Sequence, residues 1–250
     1  MMLHEEYKVF TLQERPDLVT KMNRLHSAGW AKFMLFDEVA EQYFGKLAVL
    51  FPEYQFLLVD DEDQAIACGN SVPFQWNGTI EDLPGGWDDV LGRSVNEYNN
   101  GLEPNAVSAI AIVVDPAFRG KKISDVMVHT MKELVRKKKI TQMVAPVRPS
   151  LKHKYPLIPM ESYANWKRED GSPFDPWLRI HWKSKADILK VAEESMIIKG
   201  TVEQWESWTG LKLPDSGSYT IPDGLIPLVL DIEKNSGIYI EPNVWMKHYL

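Results

Sequence analysis

Cysteine is nearly absent: Cys68 is the single one in 250 residues. No intramolecular disulfide is open to the chain, and such sparing use of thiols fits a reducing cytoplasm. No apolar run is long enough to span a bilayer. The first residues, Met1 to Lys8, carry His4, Glu5 and Glu6 and no apolar core, which argues against a signal peptide. Internal repeats, low-complexity tracts and Gly/Ser linkers are missing too, so one domain over residues 1–250 is the expectation. Positive charge is scarce overall, 28 Lys and Arg against 35 Asp and Glu for a formal −7, which disfavours nucleic acid or a membrane as partner. Neither GxGxxG nor GxxxxGKS/T occurs, nor a GxSxG nucleophile elbow. The six histidines show no paired metal-ligand spacing, so no metal is expected. Cys68 sits in an apolar stretch and reads as a small buried hydrophobe, not a nucleophile.

What is present is the composition of a soluble globular protein, 44% hydrophobic and 25% charged. Tyr7 to Leu12 reads as a short strand. Helices are expected over Asp17 to Phe33 and Asp37 to Leu50, then a hairpin of Gln55 to Asp60 with Gln64 to Trp76. A Gly/Pro connection, Leu83-Pro84-Gly85-Gly86, leads into a helix from Trp87 to about Asn99. Asn105 to Val114, apolar, β-branched and bounded by Pro104 and Pro116, is the clearest strand, and its unbroken apolarity implies cover on both faces.

Ile123, Val126, Met127, Thr130, Met131, Leu134 and Val135 keep one helical face, closed by the cations Arg136 to Lys139. Thr141 to Val147 is a further strand. Leu151 to Trp182 is irregular and too long for a plain connector. Ala186 to Glu194 reads as a helix and Met196 to Val202 as a strand. Ile226 to Ile232 and Ile238 to Trp245 bracket a turn and form a terminal hairpin. Strands and helices mixed throughout make the fold class α/β or α+β around one mixed sheet.

One stretch stands against the acidic background. Between Arg119 and Lys139 there are eight Lys or Arg and two acids, Asp125 and Glu133. In VVDPAFRGKKISDVMV, Val113 to Val128, a strand ends at Asp115-Pro116, three cations surround Gly120, and a helix begins. A helix start leaves its first N–H groups unpaired beside a partial positive charge, a seat suited to phosphate. A small anionic ligand is implied, with solvated loop cations as the plain alternative.

The run IAIVVDPAFRGKKISDVMVHTMKEL resembles the central motif of the GCN5-related N-acetyltransferase (GNAT) superfamily: strand, V-x-P, Arg/Gln-x-x-Gly-x-Gly/Ala, amphipathic helix. Arg119 matches the leading Arg/Gln, Gly120 the glycine that usually follows it, and Ser124 the small residue closing the loop. Lys122 departs from the pattern, standing where the second glycine belongs. Segments DPWLRIHWKSKADILKV, GTVEQWESWTG and GIYIEPNVWMKH resemble a bacterial subset of GNAT-like proteins. The resemblance implies a central mixed sheet flanked by helices, with splayed central strands. It implies acetyl-CoA as co-substrate, its diphosphate on Arg119, Gly120, Lys121, Lys122, Ile123 and Ser124. The free edge of Ile112, Val113 and Val114 would take the pantetheine arm.

Transfer of an acetyl group to an amine needs a positioned donor, a base and a proton for the departing thiolate. Glu103, just before the central strand, is a candidate base. Tyr163, with Tyr155 beside it, is a candidate acid. His181 in LRIHW is a candidate base or, with Arg179 on the same side of an extended segment, a reader of an anionic group. Ordinary readings stand beside these: a solvated loop glutamate, packed tyrosine rings, and a structural histidine near Trp177 and Trp182. Residues 148–182 are expected to form an acceptor-site insertion, and five tryptophans between Trp166 and Trp208 are available to floor it. The leading expectation is a cytoplasmic N-acetyltransferase with a small-molecule amine acceptor. A CoA-binding or regulatory module without catalysis, or acyl transfer involving a carrier protein, are the alternatives, and a homodimer is left open.

Overall fold

The structure is a computed structural model describing residues 7–250; the expectation drawn from His4, Glu5 and Glu6 lies outside those residues. Nine strands form one sheet: β1 (Lys8–Thr11), β2 (Gln55–Val59), β3 (Ala65–Phe74), β4 (Ala106–Val114), β5 (Gln142–Val147), β6 (Ala186–Gly200), β7 (Gly217–Tyr219), β8 (Leu228–Asp231) and β9 (Ser236–His248). Their order is β1-β2-β3-β4-β5-β9-β8-β7, with β6 also paired to β9. Among the described residues only β4 and β5 run parallel. The helices are α1 (Val19–Gly29), α2 (Glu38–Tyr43), α3 (Leu47–Leu50), α4 (Trp87–Asn99), α5 (Ile123–Lys137), α6 (Met160–Ala164), α7 (Pro176–Lys183) and α8 (Val202–Thr209). Among the described residues no helix is long and apolar enough to cross a membrane.

Helices on both faces explain the unbroken apolar strands. Every residue of β2 and β3 is buried. Along β2 the side chains alternate between two clusters, as strand geometry requires. Leu57 and Val59 meet Leu18, Met22 and Leu25, from α1 and the turn before it. Phe56 and Leu58 join the larger cluster, which also takes Ile123, Met127, Met131 and Val135 from the apolar face of α5.

Two irregularities in β4 shape the site. Its pairing with β5 stops after Ala106↔Gln142, Val107↔Met143 and Ser108↔Val144. Beyond Ser108 the two strands part, and residues 109–114 keep an unpaired edge. Opposite β3, the register slips between Asn70↔Ala111 and Ser71↔Ala109, leaving Ile110 as the extra residue of a bulge. Bulges bend a strand and re-aim its backbone, and here the bend falls where the cleft opens.

Several expected elements change. The helix expected over Asp17 to Phe33 ends at Gly29 and is followed by a 3-10 turn, Lys32–Phe36; that over Asp37 to Leu50 breaks between α2 and α3. Ala186 to Glu194 is not a helix but the first part of β6, which runs on to Gly200. Its Ala, Leu, Lys and Glu favour a helix locally, yet pairing with β9 from Ala186↔His248 to Gly200↔Gly237 outweighs propensity. Val202 begins α8, behind a capping box of Thr201 and Gln204. Arg179 and His181 lie on α7, not in an extended segment. Two residues apart on a helix they point to different sides.

Candidate active site

The parting of β4 from β5 opens a cavity of about 680 Å³. Its floor is the free edge of β4, Ala109 to Val114. Gly29 and Trp30 at the end of α1 form one side, and Ala145 to Arg148 of β5 and the following loop form the other. Gly29 is required there: a Cβ would stand 2.4 Å from Val113 Cγ1, so only glycine lets the end of α1 lie this close to β4.

At one end stand Arg119 and Ser124. Asp115 caps the turn after β4 through Ala117 N–H at 2.9 Å. Gly120 then adopts φ +80 and Lys122 φ +59. The family's second glycine is explained by that value: position 122 needs a left-handed backbone, which lysine adopts at a cost of roughly 1–2 kcal/mol. Among the described residues no turn carbonyl or side chain accepts from the N–H groups of 120–124. Nor does any of Arg119, Lys121 or Lys122 have an anionic partner; Lys121 instead lies over the Phe118 ring, 4.8 Å from its centroid. Free amides, a fifteen-residue helix behind them and unpaired cations make an anion seat. Ile112, Val113, Val114, Arg119 and Ser124 line the cavity, while Gly120, Lys121, Lys122 and Ile123 form the adjoining turn and helix start.

At the other end Trp87 is pinned over the bulge, its Nε1–H donating to the Ile110 carbonyl at 2.8 Å. Trp30 meets it edge-on and Phe44 stacks on it. Gly86 brings α4 against β6, since a Cβ there would strike Ser195 Cα at 2.2 Å. Trp87 N–H donates to Ser195 Oγ, which donates in turn to Asn243 Oδ1. Asn243, Met196, Met34 and Glu241 complete this wall.

Glu241 is fully buried, held by Arg148 from Nε at 2.8 Å and Nη2 at 3.0 Å and by the Tyr239 hydroxyl at 2.7 Å. Two more carboxylates lie near. Asp37 is fully buried; Oδ1 accepts from Ala40 N–H at 2.7 Å and Oδ2 has no partner. Asp88 Oδ2 accepts from Ile197 N–H at 3.0 Å and Oδ1 has no partner. Burial, with the charge of Asp37 and then Glu241 bearing on it, pushes the Asp88 carboxyl up to about 8, and burial raises that of Asp37 as well.

Of the three catalytic candidates, His181 alone lines the cavity. It is buried, with Nδ1 2.8 Å from His248 Nε2, while Arg179 turns away to the carbonyls of Pro173 and Phe174. Glu103 is exposed before the start of β4, at the far end of the strand from the cradle and outside the cavity. Tyr163 is also outside it: its hydroxyl is committed to Asp175 at 2.8 Å, its ring packs with Tyr155, Trp166 and Phe174, and burial drives its pKa up, so it is no ready proton donor. Of the five later tryptophans only Trp177 lines the cavity; the aromatic wall comes from Trp30 and Trp87 instead. The stretch 148–182 contributes Arg148, Ser150, His153, Pro176, Trp177, Ile180 and His181. Cys68 is buried, its thiol pushed up to about 12 by desolvation, which leaves it unreactive.

The histidine pair carries a pH signature. Burial holds His181 well below its ordinary value and His248 at about 4. Below about pH 6.5 the unfolded chain binds protons that the folded one refuses, so stability falls as pH falls toward about 4, where His248 takes up its proton in the fold. Asp88 and Asp37 act in the opposite sense, so a variant is the proper reference. Thermal melts from pH 7 to 5 should show a smaller loss of Tm in His248→Gln than in the wild type; parallel curves would refute the assignment.

Comparison with known proteins bears on the reading. No protein-family model matches the sequence. Over 273 aligned residues the chain is 32% identical to the arginine N-acetyltransferase avaD of Aspergillus versicolor, covering 97% of this chain and 93% of that protein. The fold is similar to the loading GNATL domain of CurA from Lyngbya majuscula, with TM-score 0.62, 15% identity and 97% of both chains covered. It is also similar to the GphF GNAT-like decarboxylase in complex with isobutyryl-CoA, with TM-score 0.59, 13% identity and 97% and 98% covered.

Proposed function

The chain belongs to the GCN5-related N-acetyltransferase superfamily, and from that premise we propose that its acceptor is a small cationic amino acid of the arginine class, acetylated on the α-amine. The activity is N-acetylation of a small-molecule amine with acetyl-CoA as co-substrate. What carries the reading is the β4 edge, stripped of its β5 partner beyond Ser108 and running from an anion seat to a buried carboxylate in one cavity. The finer choice of acceptor is supported by the relative named as an arginine N-acetyltransferase and by the three carboxylates gathered at one end.

The residues fit the co-substrate. Arg119 and the amides of 120–124 suit a diphosphate, and the backbone groups of 109–114 suit an amide-bearing arm added as a further strand. When bound, acetyl-CoA supplies an activated acetyl thioester. A backbone N–H of the bulged stretch around Ile110 to Ile112 would hold the thioester oxygen as charge gathers there. Removal of the acceptor's ammonium proton falls to Glu241, directly or through one water, with Arg148 fixing its carboxylate. His181, neutral through burial and tied to His248, shapes the wall in this account.

The test is thiol release from acetyl-CoA in the presence of a panel of amines, with the product weighed by mass spectrometry. Arginine should be acetylated once. Thiol release with no amine in the panel would overturn the reading, and transfer only to a carrier-protein thiol would favour the alternative use of the same cleft.

A further inference from the structure

Asp37 and Asp88 each bury a carboxylate oxygen that nothing in the described chain satisfies. Such atoms are rare in folded proteins, because an unpaired buried polar group costs free energy that a partner would recover. The two come from distant parts of the chain, yet both adjoin the wall that carries Glu241: Asp88 follows Trp87 and accepts from Ile197 N–H beside Met196, and Asp37 lies three residues after Met34. Arg148 pairs with Glu241, and among the described residues no lysine or arginine pairs with Asp37 or Asp88. Three acids therefore share one cation.

Both residues back onto the cavity wall. Asp88 follows Trp87, and its bonded oxygen holds the N–H of the residue after Met196; Asp37 follows the 3-10 turn that carries Met34. Trp87, Met196 and Met34 all line the cavity, as does Glu241. Resting on the N-acetyltransferase reading above, we propose that Asp37 and Asp88 receive the cationic tail of the acceptor, their free oxygens accepting from two N–H groups of a guanidinium. A guanidinium offers paired donors in a rigid fork and keeps its charge out of water better than an ammonium, which suits two fixed, buried acceptors. The raised proton affinity of Asp88 is the counterpart: without a cation the pair holds a proton, and an arriving cation displaces it.

The experiment compares kcat/KM for arginine and for citrulline, its uncharged counterpart of nearly equal shape, in the wild type, Asp37→Asn, Asp88→Asn and, as a surface control, Asp61→Asn. The wild type should prefer arginine by at least tenfold. Asp37→Asn and Asp88→Asn should bring that ratio toward one, and Asp61→Asn should keep it. Acetyl-CoA affinity, measured by calorimetry, shows which variants have folded. A wild type that uses the two acceptors equally overturns the proposal without any variant, as does a folded Asp88→Asn that keeps the full preference. Acetylation of no amine at all would instead strike the underlying functional reading, so the two failures are distinct.

Discussion

A Ser124→Glu variant should bind acetyl-CoA at least a hundredfold more weakly than the wild type while folding as well. Ser124 lines the cavity in the first turn of α5, where free amides and the helix dipole favour an anion. A carboxylate there would occupy the seat itself and repel a diphosphate, and like charges forced together cost several kcal/mol. Even about 3 kcal/mol is roughly a hundredfold in affinity. Stability points the other way, since a glutamate in the first turn of a half-exposed helix suits the dipole. Loss of binding therefore cannot be put down to unfolding. Arg119→Ala removes attraction without adding repulsion, so a charge-assisted hydrogen bond worth roughly 1.5–3 kcal/mol predicts about a tenfold loss or somewhat more. Calorimetry on both variants checks the order: Ser124→Glu worse than Arg119→Ala, with equal melting behaviour.

Glu241→Ala should be the most damaging single change to the fold around the cavity. The carboxylate is fully buried and accepts from Arg148 twice, from Tyr239 once and, at a longer 3.4 Å, from Asn243 Nδ2. Removing one partner of such a pair costs roughly 3–5 kcal/mol, because the other charge is left stranded. Arg148 keeps some contact with the cavity, with 28% of its side chain exposed, so the low end, about 3 kcal/mol, is expected. For a chain of this size that lowers Tm by roughly 6–12 °C. Differential scanning calorimetry measures it, and a drop under 2 °C would mean the pair contributes little. Glu241→Gln, which keeps the shape and some of the hydrogen bonding, should lose less stability yet still lose acetylation if the carboxylate serves as the base.

The cradle was legible in the sequence and the acceptor end was not, for a physical reason. Strand, turn, glycine, cations and helix are consecutive from Ala106 to Lys137, so local order alone brings them together. Even the departure at Lys122 marks a position whose backbone is left-handed in the fold. The acceptor wall is assembled from Met34, Trp87, Met196 and Glu241, drawn from four separated elements. Only pairing and packing make these neighbours. One signal was available: Glu241 interrupts the apolar strand Ile238 to Trp245, and a lone acid in such a strand needs a partner. Arg148 is that partner, 93 residues earlier.

The differences between sequence pattern and fold share a cause as well. The residues of LRIHW suggest an extended segment and those of ADILKVAEE a helix, yet Asp175 caps α7 through the N–H groups of Trp177 and Leu178, and β9 pairs with β6 from Ala186 to Gly200 with two register shifts between. In both places a partner outside the segment decided its conformation. Residue type and chain position suggest Glu103 and Tyr163 as catalytic groups; in the fold Glu103 is exposed, Tyr163 is bound to Asp175, and neither lines the cavity.

The claim on which the account rests is that the free β4 edge and the α5 N-terminus hold acetyl-CoA. Calorimetric titration of the full chain with acetyl-CoA tests it most directly, repeated with Ser124→Glu. One molecule bound per chain at micromolar affinity, with the heat abolished in the variant, is the result expected. No heat up to millimolar concentration, or equal binding by wild type and Ser124→Glu, would contradict it.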